Sequence, residues 1–100
     1  MADTKPVQGE GLLDNELVRV TRWTLAPGES IAWHRHEFPY VVVPIAAGRL
    51  TFRDANSENP VELVVGNATF RPAGIEHEVL NRGRDVVSFV DTEIKAGAAA

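Results

Sequence analysis

Three histidines, His34, His36 and His77, are the residues of this 100-residue chain whose type and spacing point most directly to chemistry. The chain has no cysteine, so a metal ion could be held only by nitrogen and oxygen ligands. In an extended segment side chains alternate between faces, which places His34 and His36 together with Ser30 and Ala32 and turns Ile31, Trp33 and Arg35 the other way. Two imidazoles so spaced lie about 6.6 Å apart along the strand and can converge on one cation at about 2.0–2.1 Å. Taken alone, His-x-His is equally consistent with chance on a solvated strand face. The third histidine follows the turn Pro72-Ala73-Gly74, where proline presets the bend and glycine lets the chain reverse closely, so that His77 can be aimed at a fixed point. Imidazole ligation would also make metal affinity fall as the pH drops through about 6.5, because only the neutral ring binds.

A carboxylate ligand is harder to find. Glu37 adjoins His36, Glu76 and Glu78 flank His77, and strand alternation sends all of them, and Glu29, away from the ligand face. Arg71 and Arg22 could orient a carboxylate or enolate through a forked pair of hydrogen bonds, although an arginine on such a strand more often lies outside in solvent. Phe38, Phe70, Val79 and Val42 would serve equally as pocket walls or as ordinary core. Asn81 shares the face of His77 and is better suited to fixing a strand end than to touching metal.

The elements that must position these groups are strands. β-Branched residues come in short runs near Leu17–Leu25, Ser30–His36, Tyr40–Ile45, Arg49–Arg53, Val61–Val65, Ala68–Arg71, His77–Asn81 and Val86–Val90. The breaks between them carry turn chemistry, such as Pro27-Gly28, Gly66-Asn67 and Asn81-Arg82-Gly83. This pattern predicts an all-β chain without a helix, and a jelly-roll β-barrel is the arrangement that closes such strands while leaving an interior pocket. The reading divides the chain into an N-terminal arm over 1–13, ordered only if it packs on something, a barrel over 14–95 and a frayed tail over 96–100. Trp33 and Ile31, read as lying outside the barrel, suggest a covered surface and a homodimer.

A formal net charge of −4 and scattered lysines and arginines give no footprint for nucleic acid. The first residues lack the pattern of a signal peptide and no apolar run approaches the ~20 residues that cross a bilayer, so the expectation is a soluble, cytoplasmic protein with no membrane partner.

Set side by side, these residues resemble the cupin superfamily. Its second motif, Gly-x5-Pro-x-Gly-x2-His-x3-Asn, is matched by Gly66, Pro72, Gly74, His77 and Asn81. Its first, Gly-x5-His-x-His-x3-4-Glu-x6-Gly, is matched by Gly28, His34, His36 and Gly48, with Tyr40 or Val41 where the family has glutamate. From Asp14 to Lys95 the chain is also similar to the small stand-alone cupins linked with β-alanine degradation. The resemblance implies a divalent metal on His34, His36 and His77, with Tyr40 as a phenol reaching the pocket. Cupins with three histidines and no glutamate resemble iron dioxygenases that cleave β-dicarbonyl compounds or oxidise small thiols. The leading expectation is therefore an Fe(II)-dependent dioxygenase acting on a small anionic substrate, with Tyr40 and Arg71 as its catalytic residues. Two alternatives stand beside it: a Lewis-acid isomerase or lyase using Zn, Mn or Ni, and a non-catalytic small-molecule-binding module.

Overall fold

A computed structural model describes residues 4–95, and the expected frayed tail, 96–100, lies outside the described residues. Ten strands follow in chain order: β1 Lys5–Pro6, β2 Glu10–Asp14, β3 Val18–Leu25, β4 Glu29–Arg35, β5 Tyr40–Ala46, β6 Gly48–Arg53, β7 Glu58–Leu63, β8 Thr69–Arg71, β9 Glu76–Leu80 and β10 Val87–Ile94. Among the described residues there is no helix, so none is long and apolar enough to cross a membrane.

The strands form two five-stranded sheets, ordered β1-β4-β9-β6-β7 and β2-β3-β10-β5-β8. Apart from the β2–β3 and β6–β7 hairpins, each connection carries the chain from one sheet to the other, which is the jelly-roll solution to burying one face of every strand. The residues read as an arm are paired with both sheets. β1 lies parallel to β4, with Lys5 beside Glu29, and β2 runs antiparallel to β3. The Val7 amide donates to the Ser30 carbonyl at 2.8 Å. β10 extends to Ile94, well past the sequence expectation at Val90, and pairs along its length with β3 and β5.

The core gathers Leu25, Ile31, Leu50, Leu63, Val79, Val87 and Phe89 between the sheets. At one end Leu25 pairs with Val87 and neither has any exposed surface. Gly48 closes this end with φ at 155°, and a Cβ built on it would stand 2.5 Å from Val87 Cγ2. The motif glycine at 48 therefore has a packing reason: β6 starts against the Val87 side chain with no room for a methyl group. Gly48→Ala is expected to cost on the order of 1–3 kcal/mol through overpacking, read as a lower urea midpoint with unchanged slope. A midpoint equal to the parent protein's would contradict this contact.

Alternation fails at one place in β4, and the failure bears on the site. Ile31 pairs with Val79 and His34 with His77, so Ala32 and Trp33 together oppose the single residue Glu78. This is a β-bulge, which inserts one residue and reverses the facing of everything before it. Ile31 accordingly lies inside, 6% exposed, while Ala32 is exposed and Trp33 is 48% exposed. The expectation that Ile31 shares an outer face with Trp33, and that Ala32 lies beneath the histidines, is corrected: Ile31 is the interior neighbour. Ile31 thus drops out of the argument for a covered outer surface.

Candidate metal centre

The bulge leaves His34 opposite His77, and Arg35 opposite Glu76 ends the β4–β9 ladder. His36 lies just beyond the end of β4 and is held by two backbone bonds to the turn before β9. Its amide donates to the Ile75 carbonyl at 2.9 Å and its carbonyl accepts from the Gly74 amide at 2.8 Å. Gly74 makes this docking possible at a φ of 96°, in the left-handed region that glycine enters without cost. Asn81 fixes the other end of β9: its amide group donates to the carbonyls of Leu25 and Asp85, and its side-chain oxygen accepts from the Gly83 amide. The motif residues Gly74 and Asn81 therefore act on the placement of His36 and of the strand that carries His77.

The three imidazoles meet through their Nε2 atoms. His34 Nε2 lies 2.9 Å from His36 Nε2, which in turn lies 3.2 Å from His77 Nε2. The nitrogen atoms available from the three rings all fall within 4.8 Å of one another. His34 Nδ1 sits 2.7 Å from the Ala32 carbonyl; a carbonyl only accepts, so Nδ1 carries the proton and the Nε2 lone pair of His34 faces inward. The bulge that displaces Ala32 thus also orients a candidate ligand.

Three nitrogens this close repel if all present lone pairs, and without a cation a proton on one Nε2 can turn only part of the cluster into N–H···N hydrogen bonds. His36 is held down to about 4 by burial first and by the charge of His34 next, and His77 to about 3 by burial and then by His34 and His36. Protons therefore compete for these two rings well below pH 6.5, a lower window than the unperturbed imidazole suggested. A divalent cation at the meeting point would satisfy all three nitrogens at once, so the donor set fits a metal. No carboxylate joins the group among the described residues. Glu78 is bound to Arg53, Glu29 accepts from the Ala26 amide, and Glu37 and Glu76 are exposed.

Tyr40 takes the place that sequence comparison reserved for glutamate. It is 3% exposed and its ring stacks on His36, with centroids 3.9 Å apart and planes inclined by 17°. Burial pushes the phenol up to about 12, so it keeps its proton at ordinary pH. Arg71 faces Tyr40 across the β5–β8 ladder. Both line a cavity of about 520 Å³ that the three histidines also line, together with Val42 and Val79. Phe70, by contrast, is 62% exposed, and Phe38 is not among the lining residues. Arg22 binds Glu10 through two hydrogen bonds on the outer side of β3, as the solvent reading anticipated.

Sequence reasoning missed the opposite wall. Thr21, Trp23, Asp91 and Glu93 line the same cavity from β3 and β10. Their signal was alternation: Val87, Phe89, Asp91 and Glu93 recur every second residue, but two acidic members make the run read as a strand end. Asp91 is 8% exposed and its Oδ1 has no hydrogen-bond partner. Burial, and then the neighbouring Glu93 charge, push its carboxyl up to about 7.

A jelly-roll barrel with a histidine cluster beside an interior cavity defines a class of small β-barrel proteins suited to holding a metal and a small ligand. The cupin-domain family model matches residues 21–93, and the chain belongs to the cupin family. It is 46% identical over 83 residues to the beta-alanine degradation protein BauB of Pseudomonas aeruginosa, covering 83% of this chain and 87% of that one. It is 27% identical over 78 residues to an oxalate-binding protein of Thermotoga maritima, covering 78% of this chain and 63% of the other. The crystal structure of a cupin domain from Bordetella pertussis superposes with a TM-score of 0.90 at 36% identity, covering 96% of this chain and all of the other.

Proposed function

We propose that this cupin holds a mononuclear divalent metal on His34, His36 and His77 and works as an Fe(II)-dependent dioxygenase on a small anionic or β-dicarbonyl substrate. The observation that carries the reading is the convergence of three imidazole nitrogens, with no carboxylate joining them among the described residues. A divalent ion on such a set keeps its full charge and leaves about three coordination positions for an anionic chelate and dioxygen.

The chain's own residues supply the rest. Arg71, at the cavity wall beside Tyr40, offers a guanidinium fork to a carboxylate or enolate. Tyr40 holds a proton at its hydroxyl and, stacked on His36, keeps that ring from turning. Val42, Val79 and Phe52 line the cavity with apolar surface, which excludes water and strengthens each polar contact within. The link of the Pseudomonas relative with β-alanine degradation and the oxalate-binding name of the Thermotoga relative both favour a small acid as ligand.

That second name also favours a non-catalytic reading, in which the metal holds an acid and turns nothing over. A Lewis-acid isomerase or lyase using Zn, Mn or Ni is the remaining alternative. Exposed Leu12, Leu13 and Phe70 support a homodimer as part of the proposal.

Metal analysis of the purified protein followed by oxygen uptake with Fe(II) and a panel of β-dicarbonyl acids separates these readings. About one metal per chain with iron-dependent oxygen consumption is expected. Anaerobic turnover with zinc or manganese would replace the dioxygenase with Lewis-acid chemistry, and bound metal with no turnover would leave the binding module. A protein that refuses every divalent metal would overturn the proposal as a whole.

A further inference from the structure

The cavity wall opposite the histidines is ordered in rows by strand register. Arg19, Glu93, Tyr40 and Arg71 stand side by side across β3, β10, β5 and β8, and Tyr40 marks this row as the histidine side. One step deeper along the strands, about 6.8 Å, the row is Thr21, Asp91, Val42 and Thr69. All eight residues line the cavity.

The charges in these rows are unevenly satisfied. Glu93 is paired with Arg19, whereas Asp91 has no ion-pair partner among the described residues. Its Oδ1 lacks any hydrogen bond although the residue is more than nine-tenths buried, and a side-chain hydrogen bond with Trp23 is the contact that favours its charged form. A buried carboxyl oxygen without a donor keeps the desolvation cost of that atom uncompensated. Oδ1 has almost no accessible surface as it stands, so a ligand's cation would meet the carboxyl only by drawing it round toward the cavity. The carboxyl's two oxygens exchange by rotation about χ2, a broad torsion, so either can be presented to the cavity. In the histidine-side row, Arg71 pairs with no carboxylate among the described residues. The cavity wall therefore carries, among the described residues, an acid without a cationic partner and, one row away, an arginine without a carboxylate partner.

We propose that Asp91 is a specificity-determining residue that takes the protonated amine of a short amino acid whose carboxylate turns toward Arg71 and the three histidines. This rests on the reading of the cavity as the ligand site and names the class of ligand it selects. An acid lacking the amine meets the Arg71 end equally well and leaves Asp91 without a cationic partner. Discrimination then comes from the unsatisfied group, as in other buried polar sites.

Titration calorimetry of the protein as purified tests this with glycine, β-alanine and 4-aminobutyrate, each matched with acetate, propionate or butyrate. At least one amino acid is expected to bind about tenfold or more tightly than its deaminated counterpart. In Asp91→Asn that ratio should collapse toward one while affinity for the plain acid is kept. The wild-type comparison needs no variant, so the inference stays exposed even if Asp91→Asn fails to fold. Equal affinity within every pair, a preference that survives in Asp91→Asn, or no binding by any of the six compounds would each overturn it. Metal content and oxygen uptake are read separately. Protein that keeps its metal and consumes oxygen but ignores the amine defeats only the assignment of Asp91; metal-free protein that prefers amino acids defeats only the metal-dependent activity.

Discussion

Replacing His77 with alanine is expected to abolish tight metal binding, with His34→Ala and His36→Ala doing the same. Each Nε2 is one of three donors meeting at a single point, and among the described residues no carboxylate stands by to replace a lost ligand. Losing a group that merely orients a metal-bound histidine costs 10–100-fold in affinity, so losing a donor from a set of three should exceed about 100-fold. Glu37 gives the matching control: it adjoins His36 but is exposed, and Glu37→Gln should leave affinity within about twofold, the ordinary range for a surface change. Competition with a chromophoric chelator measures all four variants against the parent. Wild-type affinity in each histidine variant would remove the three-histidine assignment, and a large loss in Glu37→Gln would place the ion elsewhere.

The second large effect is on stability against pH in the metal-free protein. His36 and His77 are held to about 4 and about 3 from an ordinary 6.5. Between pH 6.5 and those values the unfolded chain therefore binds protons that the folded one refuses. For groups whose folded pKa is depressed, stability is fully present above 6.5 and is lost as the pH falls. Asp91 works in the opposite direction: raised to about 7 from 3.8, it holds a proton in the fold that the unfolded chain releases, and its contribution is lost as the pH rises from 3.8 to 7. Two histidines against one aspartate leave a difference of one proton, or about 1.4 kcal/mol for each pH unit between 6.5 and 4. Against a typical domain stability of about 5–15 kcal/mol, two such units are a large fraction. Urea midpoints between pH 7 and 4.5 should fall accordingly, and Asp91→Asn, which removes the opposing group, should make the fall about twice as steep. A stability that stays flat over this range would mean that the two imidazoles are not held neutral in the fold.

Much of this architecture was legible in local chemistry. The turn residues divide the chain where the sheets exchange it, and the eight expected strands correspond to β3 through β10 with ends shifted by a few residues. The turn Pro72-Ala73-Gly74 is legible as a bend before His77, and its Gly74, with Ile75, holds His36 through backbone bonds that the sequence does not reveal. The residues before position 14 were harder to read, because Gly9, Gly11 and the charges around them have no periodicity of their own. Their strands exist through pairing with β3 and β4, and Gly9 leaves no space for a Cβ against Thr21 and Trp23. β10 was shortened for a related reason: Asp91 and Glu93 are poor signals of a buried face until the cavity beside them is known.

What the sequence by itself determined is the inventory of the site and the period of its strands. Its lack of cysteine limits any metal here to nitrogen and oxygen donors, and its three histidines, with tyrosine at the glutamate position, are the imidazole set on offer. Tertiary structure decided which way those residues face. Whether Ile31 or Ala32 lies beneath the histidines depends on the bulge in β4, and a bulge is a property of two paired strands that neither encodes alone. Pairing likewise set Asp91 across from the histidine cluster, because the sheet that carries it and the sheet that carries the histidines meet only when the barrel closes.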